Sequence, residues 1–163
     1  MNNKVVIGGI AGIGLLIFVG VGLFAPQPSD DELIQKALDE AVTAGKEGRP
    51  GSVLDFLASD FEVNGQRFST GEIAARIRKM KPDMKFSNRT PTVTGETASL
   101  TSSVALSLAI GPSVNIDGVE VKFEKRPATR MLIFPSKKWQ VTDVEVPEEA
   151  YEQLGSAMPM GGL

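Results

Sequence analysis

The sequence predicts an α+β domain that follows a single transmembrane helix. Three observations carry this prediction. An uncharged apolar stretch fills positions 5–25. Beyond it, apolar residues recur at helical spacing as far as about Pro82, and capping patterns precede them. From Met84 onward apolar and polar residues alternate, which is the period of β-strands. We therefore expect about three helices packed on a mainly antiparallel β-sheet.

The first element is the stretch 5–25, which contains no charge and no side-chain hydrogen-bonding group. At ~1.5 Å per residue, a helix of this length crosses the ~30 Å hydrocarbon core of a bilayer. The run is too long for a signal peptide, and Pro26 directly follows the only candidate cleavage site, so we expect an uncleaved anchor. Lys4 precedes the span and acidic residues at 30–32 follow it. The expected location is the plasma (inner) membrane, with a cytoplasmic tail at 1–4 and an extracytoplasmic domain.

Two glycines of the span, Gly8 and Gly12, form a small-xxx-small pair that could bring two such helices together. Glycine is common in membrane helices, however, and the glycines of this span do not share one helical face. A span whose only partner is the lipid bilayer is therefore the simpler alternative.

The composition excludes several kinds of site. The sequence has no cysteine and no histidine, so it lacks disulfides, thiolate metal sites, the usual zinc sites and the commonest general base. All 20 acidic residues and all but one of the 17 basic residues follow the span, which makes the rest of the chain mildly acidic. We therefore expect no metal, no cofactor and no nucleic-acid partner.

The domain proper is expected over 30–154, behind a short spacer at 26–29. Ser29 and Glu32 form a capping box for a long helix, because each can bond the backbone N–H of the other. An apolar stripe over 33–42 supplies its buried face.

Two shorter helices are expected next. The stretch Ser52–Asp55 repeats the capping pattern more weakly and predicts a helix over 53–57. The stretch Ser69–Glu72 predicts another helix, which stops before Pro82. Between them, Asn64–Gly65 predicts a tight hairpin turn, because both residue types accept positive φ angles.

The clearest strand runs over 97–110. Its apolar face is expected to be core, whereas its opposite face is uniformly small and carries no charge. Such a face suits packing against a second copy of the chain or another subunit, but plain exposure of serine and threonine on a strand is equally compatible with it. The candidate interface residues are Thr97, Ser99, Thr101, Ser103 and Ser107.

Further strands are expected as far as Val146. The alternation shifts by one step at Asp117–Gly118, which predicts a bulge or a tight turn. Pro127 is expected to interrupt a strand, and 135–138 to turn the chain into the last strand. The segment 155–163 contains mainly Gly, Met and Pro and is expected to be a flexible tail.

This order of elements resembles the nuclear transport factor 2-like superfamily, also called the polyketide cyclase-like or cystatin-like cone fold. The likeness is carried by Val53–Ala58 leading into Phe61, the Asn64–Gly65 turn, the helix start Gly71–Ile73, and Trp139–Val141. It spans about 33–146. The resemblance implies a cone-shaped domain, in which a curved sheet wraps the helices and a pocket lies at the open end.

Enzymes of that superfamily usually place an Asp–His pair, tyrosine or aspartate groups inside the cone. Here histidine is absent, and the only tyrosine, Tyr151, lies beyond the sheet. The pocket candidates are therefore Asp55, Asp60, Asp143 and Trp139. An unbulged last strand points Asp143 inward, where it could act as a base, whereas a bulge near Thr142 turns it outward.

A basic segment is the remaining candidate site. Its cations could face anionic lipid headgroups or an acidic partner, although cations near a helix C-terminus are also simply favourable. They are Arg76, Arg78, Lys79, Lys81, Lys85 and Arg89.

The expected function is that of a non-enzymatic, membrane-anchored extracytoplasmic binding or assembly module. The arrangement resembles bacterial envelope proteins in which this fold follows one N-terminal helix. The alternative is a domain that binds a small apolar ligand, or a polyketide cyclase-like pocket enzyme that uses Asp143 or Asp60.

Overall fold

A computed structural model describes residues 28–109, 113–130 and 134–150. The predictions for the span 5–25, for Gly8 and Gly12 within it, and for the tail 155–163 lie outside these residues. Over the described part of the chain, no helix is both long and apolar enough to cross a membrane.

The three expected helices are present: α1 (Asp30–Glu47), α2 (Pro50–Phe56) and α3 (Thr70–Met80). The capping boxes at the starts of α1 and α3 are confirmed. The backbone N–H of Ser29 donates to Glu32 Oε2 at 3.0 Å, and the N–H of Ser69 donates to Glu72 Oε2 at the same distance.

The start of α2 was predicted wrongly. The helix begins at Pro50 rather than at Val53, and the residue that precedes it is Arg49, so Ser52 is not its cap. Proline suits the first helical position, because its φ angle is already helical and its missing N–H would have had no partner there. This preference outweighs the weak capping pattern of Ser52 and Asp55.

The strands form one mixed, mainly antiparallel sheet. They are β1 (Leu57–Val63), β2 (Gln66–Arg67), β3 (Asp83–Phe86), β4 (Thr92–Thr94), β5 (Thr97–Ser107), β6 (Val114–Arg130) and β7 (Phe134–Glu145). Their order is β2-β1-β7-β6-β5-β3, and β4 also pairs with β5. The pair β1–β7 is parallel, and the other pairs are antiparallel.

The main core cluster combines residues of α1 and α2 with the inner face of the sheet. The rings of Phe56 and Phe123 lie 6.0 Å apart at 38°. Phe123 and Leu100 of the sheet are 1% exposed, and Ile34 of α1 is fully buried. Large side chains therefore fill the space between α1 and the middle of the sheet.

The predicted irregularity at Asp117–Gly118 is a bulge within β6. Gly118 has a φ of 74°, and the pairing of β5 with β6 shifts at this point. The shift keeps apolar residues on the inner face on both sides of the bulge, since Ile116 and Val119 are both buried.

The prediction that Pro127 interrupts a strand was wrong. Pro127 lies within β6 and pairs with Lys137 of β7. The N–H of Lys125 donates to the carbonyl oxygen of Glu96 at 2.8 Å, so the nitrogen two residues later points to the same side. Pairing of β5 with β6 stops at Glu124, so no ladder bond is lost at the proline.

The predicted turn at 135–138 was also wrong, because these residues belong to β7. The turn signals of Pro135 and Ser136 are overridden by pairing with Thr129 and Ala128 of β6. The β6–β7 hairpin therefore extends beyond the ends of β5 and β1, and this extension forms one wall of the site described next.

Candidate functional site

An open groove of about 1180 Å³ lies beside the core. It is bounded by α1, α2, β1, the start of α3 and the extended part of the β6–β7 hairpin. Its apolar lining comes from Leu33, Leu54, Leu57, Phe61, Phe68 and Ile73, and its polar lining includes Asp55, Arg126, Lys137, Lys138 and Gln140. We call this the apolar groove.

The amphipathic pattern of α1 places one apolar residue outside the core. Ile34 and Leu38 face the sheet, whereas Leu33 and Ala37 lie one turn apart beside this stripe and line the apolar groove. Leu33 is 39% exposed, whereas the other large hydrophobic side chains that the structure describes are buried or half-buried. The groove therefore displays apolar surface that the fold itself leaves uncovered.

Trp139 lies in the wall of the apolar groove and is only 5% exposed. Its indole Nε1 donates to Asp30 Oδ1 at 3.0 Å, and Lys125 Nζ lies 2.7 Å from the same oxygen. Lys125 also stands 5.5 Å from the centre of the indole ring. The hydrogen bonds from Lys125 and Trp139 lower the pKa of Asp30, so this carboxylate stays ionised.

Asp60 forms a two-pronged ion pair with Arg126. Arg126 Nη1 lies 2.5 Å from Asp60 Oδ1, and Nη2 lies 3.1 Å from Oδ2. Arg126 Nη2 also lies 2.9 Å from Glu124 Oε2. The guanidinium lowers the pKa of Asp60, so the carboxylate that sequence analysis offered as a possible base is held in its ionised, paired form.

Asp55 lines the apolar groove, and its backbone carbonyl joins α2 to β7. Lys138 Nζ donates to this carbonyl at 2.9 Å, and Gln140 Nε2 donates to it at 3.2 Å. Gln140 also donates to the carbonyl of Leu57 at 2.9 Å. Pairing of β1 with β7 begins only at Val141, so these side chains complete the wall where the ladder is missing.

The two alternatives for Asp143 were an unbulged strand and a bulge near Thr142, and the structure contains the bulge. Val141 pairs with Phe123 and Asp143 with Lys122, so Thr142 is the extra residue. Asp143 therefore lies opposite Lys122, whose Nζ is 3.4 Å from its Oδ2, and faces away from the core. It lines a separate cavity of about 400 Å³ and does not line the apolar groove.

The five interface candidates lie on β5, but they do not form an uncharged sheet face by themselves. Thr97, Ser99 and Thr101 lie opposite Glu124, Lys122 and Glu120 of β6. The neighbouring strand therefore adds charges that the β5 sequence does not contain. Toward the other end, Ser107 hydrogen-bonds the Ser113 hydroxyl at 2.8 Å, and the N–H of Ser103 donates to Ser87 Oγ at 3.1 Å.

The basic candidates lie on α3, at its C-terminal end and in the segment that follows it. Arg76, Arg78 and Lys79 are exposed on α3, and Arg76 lies 5.8 Å from the Phe68 ring centre. The Lys81 stem lies beside Gly48, at the far end of α1.

The remaining two basic candidates lie elsewhere. Lys85 pairs with Ala105 across β3 and β5, so it lies on the sheet rather than on α3. Arg89 is ion-paired with Asp39 of α1. Three of the six cations are thus exposed on α3, whereas Arg89 already has a carboxylate partner.

Sequence reasoning missed the two ion-paired clusters beside the groove. In the sequence, Asp30 stands out only as one of the acidic residues that follow the span, and its contacts with Lys125 and Trp139 join positions far apart in the chain. Asp60 and Arg126 are separated by 66 positions. No local spacing signals such pairs, because the sheet order brings them together.

Comparisons with known proteins identify the fold. No family model matches the sequence, and no curated protein matches it significantly. Several solved structures do match. A nuclear transport factor 2-like protein with a cystatin-like fold from Novosphingobium aromaticivorans is 17% identical, with a TM-score of 0.54 over 77% of this chain and 88% of its own.

Two other similar structures belong to the same superfamily. The protein from Salmonella enterica serovar Typhimurium is 14% identical, with a TM-score of 0.52 over 72% of this chain and 89% of its own. The Shewanella oneidensis protein, described as of unknown function, is 15% identical, with a TM-score of 0.51 over 73% of this chain and 98% of its own. The described domain therefore has the nuclear transport factor 2-like fold, and at these identities the likeness concerns the fold alone.

Proposed function

We propose that this protein is a membrane-anchored, non-enzymatic binding module of a bacterial cell envelope, and that the apolar groove holds the apolar part of its ligand. The observation that carries the proposal is the groove itself. It combines six large apolar side chains, about 1180 Å³ of open space and a rim of charged groups. Ligand sites in proteins are typically concave and apolar, with a few polar groups that fix orientation.

The carboxylates near this groove favour binding over catalysis. A general base works best when its pKa lies near the working pH, which requires a raised carboxylate pKa. Asp60 and Asp30 have lowered pKa values, because Arg126 holds the first and Lys125 with Trp139 holds the second. Asp143 faces Lys122 outside the groove. Catalysis through Asp60 or Asp143 is therefore the less favoured alternative.

The anchor is the second part of the proposal. The stretch 5–25 has the length and composition of a membrane span. Asp30 follows its end by five residues, which bridge at most about 17 Å. Because Asp30 contacts Trp139 in the groove wall, an anchored chain holds the groove close to the bilayer surface.

The anchor can be tested by producing the full chain in a bacterium, with a protease cleavage sequence inserted after Gly155. The expected result is that the chain stays in the membrane fraction during alkaline extraction. Protease added to the outer face of the inner membrane should cleave it, whereas protease on the cytoplasmic face should not. A chain that is released by alkali, or that is cleaved only after the inner membrane is disrupted, would overturn the membrane-anchored part of the proposal.

The groove can be tested with a photo-crosslinking amino acid placed at Leu54, which lines it, and at Glu120, which does not. Both variants are made in the full chain and irradiated in intact membranes. We expect adducts of discrete mass from position 54 and none of the same mass from position 120. Equal adduct patterns at the two positions would contradict a ligand site in the groove, whatever the location of the chain.

A further inference from the structure

The lining of the apolar groove contains three cations, Arg126, Lys137 and Lys138, and their ion pairs narrow the class of ligand. Lys138 is exposed, and its Nζ reaches only the backbone carbonyl of Asp55 at 2.9 Å. Among the described residues it forms no ion pair with a carboxylate. Lys137 beside it is ion-paired with Glu96, and Arg126 is ion-paired with Asp60 and Glu124. Of the three cations in the lining, Lys138 is therefore the one that is available to an anionic group.

Leu33 brings the apolar lining of the groove to the start of α1, the side of the domain where the membrane is expected. Leu33, in the second turn of α1, leaves 39% of its surface exposed. In an anchored chain this residue follows the bilayer end of the span, Ala25, by only a few residues. An acyl chain leaving the outer leaflet would thus meet the exposed Leu33 first, and the half-buried Leu57 and Phe61 line the same groove.

We infer that the ligand is an anionic lipid of the membrane that holds the anchor, with an acyl chain in the apolar groove and its headgroup at Lys138. The inference rests on the proposed function and names the ligand of the same site. Burial of each methylene group contributes to binding, while the ammonium group of Lys138, which has no carboxylate partner among the described residues, selects lipids with a negative headgroup over zwitterionic ones.

The chain contains its own reporter for this contact. Trp139 is its only tryptophan, it lines the groove, and the span 5–25 contains none. Bromine atoms on a lipid acyl chain quench tryptophan fluorescence only at short range. The full chain is therefore reconstituted in vesicles of phosphatidylcholine and phosphatidylglycerol, with bromine on the acyl chains of one lipid at a time.

The expected result is stronger quenching by brominated phosphatidylglycerol, with a half-quenching mole fraction about fivefold lower than that of brominated phosphatidylcholine. Lys138→Gln should remove this preference, and higher salt should reduce it. The matched control is Lys36→Gln, which removes an exposed cation of α1 that lines a different cavity and should leave the preference intact.

A second pair of variants separates entry into the groove from mere proximity to the bilayer. Leu33→Glu places a charge at the expected entrance and should weaken quenching by both lipids. Gln35→Glu adds the same charge to α1 on the side of another cavity and should not.

Two results would overturn the inference. Equal quenching by the two lipids, unchanged in Lys138→Gln, would show that Trp139 senses the bilayer and not a selected lipid. Absence of quenching by either lipid would show that no acyl chain reaches the groove. If crosslinks at Leu54 still form and prove to be peptide adducts, the proposed binding function stands and the lipid inference fails.

Discussion

Trp139 Nε1 donates a hydrogen bond of 3.0 Å to Asp30 Oδ1, and this contact joins two residues 109 positions apart. Lys125 completes the cluster with an ion pair of 2.7 Å to the same oxygen. The first turn of α1 is thereby attached to the two longest strands of the sheet.

Replacing Asp30 tests the energetic importance of this cluster. Asp30→Ala leaves the partly buried Lys125 and the indole N–H without their acceptor, and we expect a loss of about 2 kcal/mol in the free energy of unfolding. Asp30→Asn keeps an acceptor for Trp139 and should lose less. Urea unfolding of the full chain in detergent, followed by Trp139 fluorescence, measures both. Asp31→Ala is the control for the helix-dipole effect, and a loss equal to that of Asp30→Ala would contradict the cluster.

The lowered pKa values predict how stability depends on pH. The pKa values of Asp30 and Asp60 are lower in the folded chain than in the unfolded chain, because cations hold their charged forms. Their contribution is therefore fully present above the unfolded value of about 3.9 and is lost as the pH falls through the lower folded values. We expect a constant urea midpoint from neutral pH to about pH 5 and a fall below about pH 4.

The variant that checks this assignment is Asp30→Asn combined with Asp60→Asn. It should be less stable at neutral pH and should show a shallower acid-induced decrease than the unmodified chain. A decrease of unchanged steepness would assign the acid sensitivity to other carboxylates, such as Glu72, whose pKa Ser69 lowers through its hydrogen bonds.

The bulge in β6 requires a residue that accepts a left-handed backbone. Gly118 has a φ of 74°, so Gly118→Ala should cost about 1–2 kcal/mol in unfolding free energy. Space is not the obstacle, because the added Cβ would lie 3.5 Å from Pro147 Cγ, an ordinary contact. Gly71→Ala in the first turn of α3 is the control, since nothing lies within 4 Å and alanine favours the helix. Equal effects of the two substitutions would refute this account.

The turn residue Asn64 combines strain with two specific hydrogen bonds. Its φ is 48°, its Nδ2 donates to the Val146 carbonyl at 2.8 Å, and its Oδ1 accepts from the Val146 N–H at 2.7 Å. Asn64→Gly loses the hydrogen bonds alone, whereas Asn64→Ala also introduces the left-handed penalty. We expect Asn64→Ala to be less stable than Asn64→Gly by about 1 kcal/mol.

Thermal or urea unfolding of the two Asn64 variants measures this order. The same pair of substitutions at Asn88, which is not among the residues with positive φ, is the control. There glycine should be no better than alanine, because its greater freedom in the unfolded chain is a cost. The same order at both positions would remove the backbone explanation.

Local patterns predicted the helical part of this fold well, apart from one boundary. The boxes at Ser29 and Ser69 and the turn at Asn64–Gly65 are each decided by contacts within a few residues, so the sequence displays them directly. Pro50 shows where prediction from local sequence patterns fails. Two local signals competed at the start of α2, and the stronger preference of proline for the first helical position prevailed.

The errors in the sheet have a different cause. Pro127 and the stretch 135–138 were interpreted from intrinsic turn preferences, yet both lie in paired strands. A proline is acceptable where its nitrogen faces no partner strand, and that depends on where β5 ends. This information is not present in the residues around Pro127. For the bulge at Thr142, by contrast, the sequence left two alternatives for Asp143, and the structure decided between them.

By itself, the sequence determined the fold class, the three helices, the clearest strand and the absence of histidine and cysteine chemistry, because composition and periodicity are local properties. The membrane span and the anchored function remain predictions of the same kind. Only the tertiary structure decided which side chains share a site. It moved Asp143 to the outer face, paired Asp60 with Arg126 and gathered apolar residues from α1, α2, α3 and β1 into one groove. Such contacts join residues far apart in the chain, and only the order and register of the strands fix them.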